Sequence, residues 1–141
     1  MFGLRTTCFL IACALLAGPA QAGPANELPL TRGFYVSGDA SCAEASGATV
    51  TLVGRKDFAW PQMVCTFAGV KQVGPTDFDV ALDCEETADF PAETLNVRMV
   101  VPDDRKYGLS FSGEPPAFSH FCAQGDLPEP WRSNDIAERI K

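Results

Sequence analysis

Apolar and polar positions alternate most clearly between residues 77 and 84, where Phe78, Val80, Leu82 and Cys84 alternate with Asp77, Asp79, Ala81 and Asp83. A period of two puts the two sets on opposite faces of a β-strand. Met63, Cys65 and Phe67 repeat the pattern on the segment before, until Gly69 interrupts it. Between the arms lies Gly74-Pro75-Thr76-Asp77, where proline presets φ and glycine accepts positive φ. Residues 63–84 therefore predict a β-hairpin with a cysteine on each arm.

Shorter alternations flank it. Residues 33–37 read as a strand, followed by a turn at 38–41. Residues 49–53 are β-branched, with Val50 and Leu52 on one face. Residues 54–61 read as a loop carrying Phe58 and Trp60. After an acidic connection at 85–91, Leu95, Val97, Met99 and Val101 share a face of the next strand. Tyr107, Leu109 and Phe111 follow one turn, and 117–122 follow another. No window of a dozen residues keeps a helical period. The prediction is one all-β domain over residues 23–141, an antiparallel barrel or sandwich of about seven short strands. Residues 23–32 are proline-rich and polar, a lead-in expected to be poorly ordered. In the proline-rich tail at 126–141, residues 127–132 predict an extended run. Residues 133–141 predict a short helix capped by Asp135, with Ile136 and Ile140 on one face.

The first 22 residues read differently. Arg5 precedes an apolar run too short to span a bilayer comfortably, and Ala20-Gln21-Ala22 forms an A-x-A cleavage site. This is the pattern of a secretory signal peptide cleaved between Ala22 and Gly23. Leu10-Ile11-Ala12-Cys13 has the shape of a lipobox, and a lipid anchor at Cys13 is the minority alternative. No later segment could span a membrane. Beyond position 22 stand all 18 acidic residues and ten of the 11 basic ones. That balance argues against nucleic acid and anionic membrane surfaces as partners.

Cys42, Cys65, Cys84 and Cys122 remain after cleavage, an even number for an oxidising compartment. Gaps of 23, 19 and 38 residues suit disulfides better than a zinc site, which draws on close C-x-x-C pairs. Four cysteines allow three pairings, and the strand order favours 65–84 and 42–122. A direct 65–84 bridge needs a bulge to correct the register, and Gly69 is the natural place for one. In the chain-entropy model the two bridges would contribute about 3 and about 4.5 kcal/mol.

The pieces LPLTRGFYVSGDASC, VCTFAGV and FCAQGDLPEPWR, in that order, resemble a group of small uncharacterised exported proteins of Gram-negative bacteria. The shared features are an aromatic strand before the first cysteine, a C-x-F strand start and a Leu-Pro-x-Pro-Trp-Arg tail. The resemblance implies a periplasmic home and supplies no activity, so no catalytic residue follows from it.

Candidate chemistry is sparse. His120 is the only histidine, and a serine triad would pair it with Ser110, Ser112 or Ser119. No G-x-S-x-G elbow presents a serine, and His120 shares a strand face with Phe118 and Cys122, as a packed or rim histidine would. Asp83, Glu85, Glu86 and Asp89, and also Asp103 and Asp104, lack an EF-hand pattern and read as solvated loops. No cofactor, metal or catalytic residue is assigned. Phe58, Trp60 and Trp131 are the candidate binding residues, because large aromatics bury much area for few frozen rotors. Trp131 reads more readily as a staple for the tail, and Trp60 could equally plug one end of a barrel. The reading is a non-catalytic periplasmic interaction module for an unknown envelope protein. Its sharpest form is an inhibitor of, or protection against, an envelope-acting enzyme. The alternative is a small-barrel carrier of an apolar ligand.

Overall fold

The computed structural model describes residues 27–141. The expected signal segment 1–22 with its expected Ala22–Gly23 cleavage position, Cys13, and positions 23–26 lie outside them. Eight strands form one closed antiparallel barrel. They are β1 (Gly33–Ser37), β2 (Val50–Val53), β3 (Asp57–Trp60), β4 (Met63–Gln72), β5 (Asp77–Cys84), β6 (Glu93–Asp103), β7 (Lys106–Ser110) and β8 (Ala117–Cys122). Each strand pairs with its neighbour in sequence, and β1 closes on β8. Closure leaves no free sheet edge.

The eighth strand is β3, which lies inside the predicted 54–61 loop. Four residues between Gly54 and Pro61 give too little alternation to stand out. Pairing on both sides, Leu52↔Ala59 with β2 and Asp57↔Thr66 through Trp60↔Met63 with β4, makes the strand. The even count turns β8 antiparallel to β1, against the same-direction arrangement that seven strands would give. Cys42 still reaches Cys122, with their Cα atoms 5.7 Å apart. Cys42 opens a short 3₁₀ turn after β1 and packs with Cys122 against the barrel's outer face.

The second bridge depends on a bulge. Cys65 pairs with Cys84 and Phe67 with Leu82, but the next pair is Gly69 with Ala81. Ala68 is thus the extra residue, next to the glycine that the sequence singled out. The insertion also lets both Phe67 and Val70, three residues apart, face the interior. Cys65 and Cys84 are bonded across that register. Two disulfides of this kind fit folding in an oxidising, exported environment.

Apolar side chains fill two layers. Inside the barrel, Tyr35, Val53, Phe58, Leu82, Val97, Met99 and Tyr107 form one core. Phe34, Val36, Val50 and Leu52 point the other way and form a second core outside β1 and β2. The tail covers it. Leu127 is wholly buried there, Ile136 is buried beside it, and Trp131 and Ile140 pack at its margin. Residues 127–132 are therefore not an extended run; a 3₁₀ turn at Trp131–Ser133 folds them onto the barrel. The tail helix α1 (Ala137–Ile140) is short, and the Asp135 carboxylate accepts a hydrogen bond from the Ala137 amide. Arg139 donates twice to Asp57 Oδ2, at 2.8 and 3.0 Å. The described part of the lead-in is also packed. Leu28 and Leu30 are buried in the inner core, and the Tyr35 hydroxyl donates to the Thr31 carbonyl at 2.8 Å. Burying each such leucine is worth about 1.5–3 kcal/mol, enough to dock a proline-rich segment.

The outer faces of β4, β5 and β6 are exposed and carry Lys71, Asp79, Asp83 and Arg98. No helix among the described residues is long and apolar enough to cross a membrane.

Candidate functional site

Four connections meet at one end of the barrel: residues 38–49, 61–62, 85–92 and 111–116. This end is the mouth. The opposite end is closed by Leu28 and Leu30 with the connections after β2, β4 and β6.

The mouth holds a recess of about 240 Å³. Inward-facing positions build it, because alternate residues of β2, β3, β7 and β8 look into the barrel. Trp60 and Leu109 give apolar walls, and the β7–β8 turn adds Phe111 and Glu114 at the rim. Thr51, Tyr107 and Ser119 supply hydroxyls at its base, and all three side chains are buried. Burial pushes the Tyr107 phenol up, and hydrogen bonding with the Ser119 and Thr51 hydroxyls opposes that rise. The base is thus neutral and rich in lone pairs. Below it Phe58 is wholly buried, with its ring 4.7 Å from Trp60 and 5.5 Å from Tyr107, so the interior is occupied by side chains.

The surroundings of the recess carry one sign of charge. The mouth connections hold Asp39, Glu44, Glu85, Glu86, Asp89 and Glu114 and contain neither lysine nor arginine. Hydrogen bonds from the Ser41 hydroxyl and amide hold the Glu44 carboxyl below its ordinary value. Two of the largest exposed apolar side chains, Phe90 and Phe111, stand in the same connections.

The three aromatic candidates do not come together. Trp60 is half-buried and lines the recess, so it both plugs the barrel and remains reachable. Phe58 supports Trp60 from within and is out of reach of any partner. Trp131 lies on the outer face, where its carbonyl accepts a hydrogen bond from Gln124 at 2.9 Å. It staples the tail.

His120 and Ser119 are adjacent on β8, so they face opposite sides of the barrel wall. Ser110 donates to the Glu114 carbonyl, and Ser112 sits in a turn with φ of 49°. None of the three serines is presented to the imidazole. Asp83 accepts from Thr94, Asp103 from the Arg105 amide, and Asp104 from Thr31. Among the described residues, Cys42, His120 and Cys122 are the metal-ligating types that converge, and the two sulfurs are joined to each other. A disulfide offers no thiolate for a metal.

Sequence reasoning picked out Trp60 and missed Thr51, Tyr107, Leu109, Phe111 and Ser119 as its neighbours. Alternation identified Tyr107 and Leu109 as one face, yet only the β2–β3 and β7–β8 registers bring that face to Trp60. Comparison with known proteins found no matching family model, no matching curated protein and no matching solved structure.

Proposed function

We propose that this chain is a non-catalytic interaction module of the bacterial periplasm, reached by Sec export, and that the barrel mouth receives a basic side chain of a protein partner. The observation that carries the reading is a small recess above a filled interior. Sites that bury a whole small molecule run from about 300 to about 1,000 Å³. At about 240 Å³ over packed Phe58 and Tyr107, the mouth suits one protruding side chain better than a carried apolar ligand. Trp60 offers an aromatic face for a cationic group, the hydroxyls offer acceptors, and the surrounding carboxylates attract positive charge. A basic envelope-acting enzyme, held in check through such a side chain, is the sharpest form of the proposal.

The test places a photo-reactive residue at Phe111 and, as a control, at Val73 in the β4–β5 turn of the opposite end. Irradiation in cells should give one discrete protein adduct from position 111, absent from position 73 and lost when Trp60→Ala is added. Circular dichroism should show the Trp60→Ala barrel intact. A small molecule retained in native mass spectra, and displaced by Thr51→Trp, would replace this reading with the carrier.

A further inference from the structure

At the closed end a second recess of about 380 Å³ lies between the lead-in, the β2–β3 connection and β4. Its chemistry is the reverse of the mouth. Arg32, Arg55 and Lys56 line it, together with the apolar side chains of Leu28, Phe67 and Val70. One carboxylate, Glu27, also stands at its edge. Arg98, Arg139 and Lys141 form ion pairs. Arg32, Arg55 and Lys56 form none among the described residues, as is true also of Lys71, Arg105, Lys106 and Arg132, and Arg55 Nη1 donates to the Lys141 main-chain oxygen at 3.4 Å. Moreover Arg32 Nη1 is buried without a hydrogen-bond partner. A buried donor on a charged group that lacks an acceptor is unfavourable, and an entering oxyanion would relieve it after a small swing of the guanidinium.

We infer that this recess binds an organic anion, a carboxylate or phosphate group carried on a short apolar body. Arg32 and Arg55 take the oxyanion through forked N–H donors, with Lys56 adding a third positive charge. Leu28, Phe67 and Val70 contact the apolar part. The volume falls within the range for small-molecule sites, which the mouth does not. The site lies at the opposite end from the mouth and stands or falls independently of it. A free solute and the headgroup of an anionic lipid share this chemistry.

The experiment titrates the purified, disulfide-bonded protein with octanoate, octylamine and inorganic phosphate, followed by amide chemical shifts. In a separate arm the protein is floated with phosphatidylglycerol vesicles. Octanoate should bind saturably, shift amides at residues 28–32, 55–56 and 66–70, and be displaced by phosphate. Arg32→Gln and Lys56→Gln, the second at an exposed position, should each weaken it about tenfold. Arg105→Gln, a cation at the same end that does not line the recess, should leave it unchanged. Flotation lost in Lys56→Gln assigns the headgroup as the source, and octanoate binding without flotation assigns a free solute. Octylamine binding as well as octanoate, no saturable octanoate binding, or equal loss in Arg105→Gln would each overturn the inference.

Discussion

Gly54 is buried, and a β-carbon built there would collide with Asp57 Oδ1. The same carboxylate holds the Arg139 guanidinium through its other oxygen. Space, not backbone freedom, is what requires glycine here. Gly54→Ala should push the Asp57 side chain aside, loosen the tail and cost about 1–3 kcal/mol, read as a lower thermal midpoint and faster proteolysis after Leu127. A second residue-scale effect comes from Tyr35 and Tyr107. Burial is the largest cause raising both phenols above their ordinary value of 10.0. Below that value both folded and unfolded phenols are protonated, so the burial makes no difference to pH dependence. Above it the unfolded chain loses protons that the barrel retains, and the folded state loses ground. The urea midpoint should therefore fall between about pH 9 and about pH 11, and fall less in Tyr107→Phe. An alkaline midpoint as steady in the unmutated protein as in Tyr107→Phe would contradict the assignment.

Among the elements, β4 shows how much was readable. Its cysteine, its alternation and the glycine that breaks it are all local features, so the hairpin and its bulge could be read from sequence. Deleting Ala68 would restore a regular ladder while the β4–β5 turn keeps its pairs. Cys65 would then still stand opposite Cys84, because Ala68 is the one residue of this stretch without a partner in the ladder. Thiol titration of the variant, prepared as residues 23–141, should find both bridges still closed; two reactive cysteines would show that the pairs flanking the bulge do not carry the register. The strand β3 and the two docked ends were not readable in the same way. β3 has four residues and exists through its neighbours. Leu28 and Leu30 flank a proline and carry no periodicity, and their burial depends on a barrel end built from β2, β4 and β6. The tail packs because β1 and β2 are apolar on both faces, with Phe34 and Leu52 outside and Tyr35 and Val53 inside. An alternating pattern marks a half-buried strand; a strand covered on both sides does not say what covers it.

Across the whole molecule, topology sorts charge that looks mixed along the chain. The acidic run at 85–89 was legible by itself, as was Trp60 as a candidate anchor. That residues 38–49, 61–62, 85–92 and 111–116 share one end, and that none of them carries a lysine or arginine, follows only from the strand order. Arg32, Arg55, Lys56, Arg105 and Lys106 stand toward the other end, where Glu27, Asp57, Asp103 and Asp104 mix with them, so only the mouth carries a single sign. Such a separation acts on encounter more than on the final fit: it orients a basic partner toward the mouth before contact, and salt weakens it. Reversing Glu85 and Glu86 to lysine removes charge from the approach without touching Trp60 or the hydroxyl base. With the protein captured at position 111 as the partner, that double variant should associate about tenfold more slowly at low salt while dissociating at an unchanged rate. Raising salt should slow the unmutated protein toward the same value. Trp60→Ala should do the opposite, speeding dissociation and leaving association near its original rate, because its contact forms only after docking. Association indifferent to both salt and the double reversal would mean that the acidic mouth serves solubility alone, and the recess would then have to find its partner by shape.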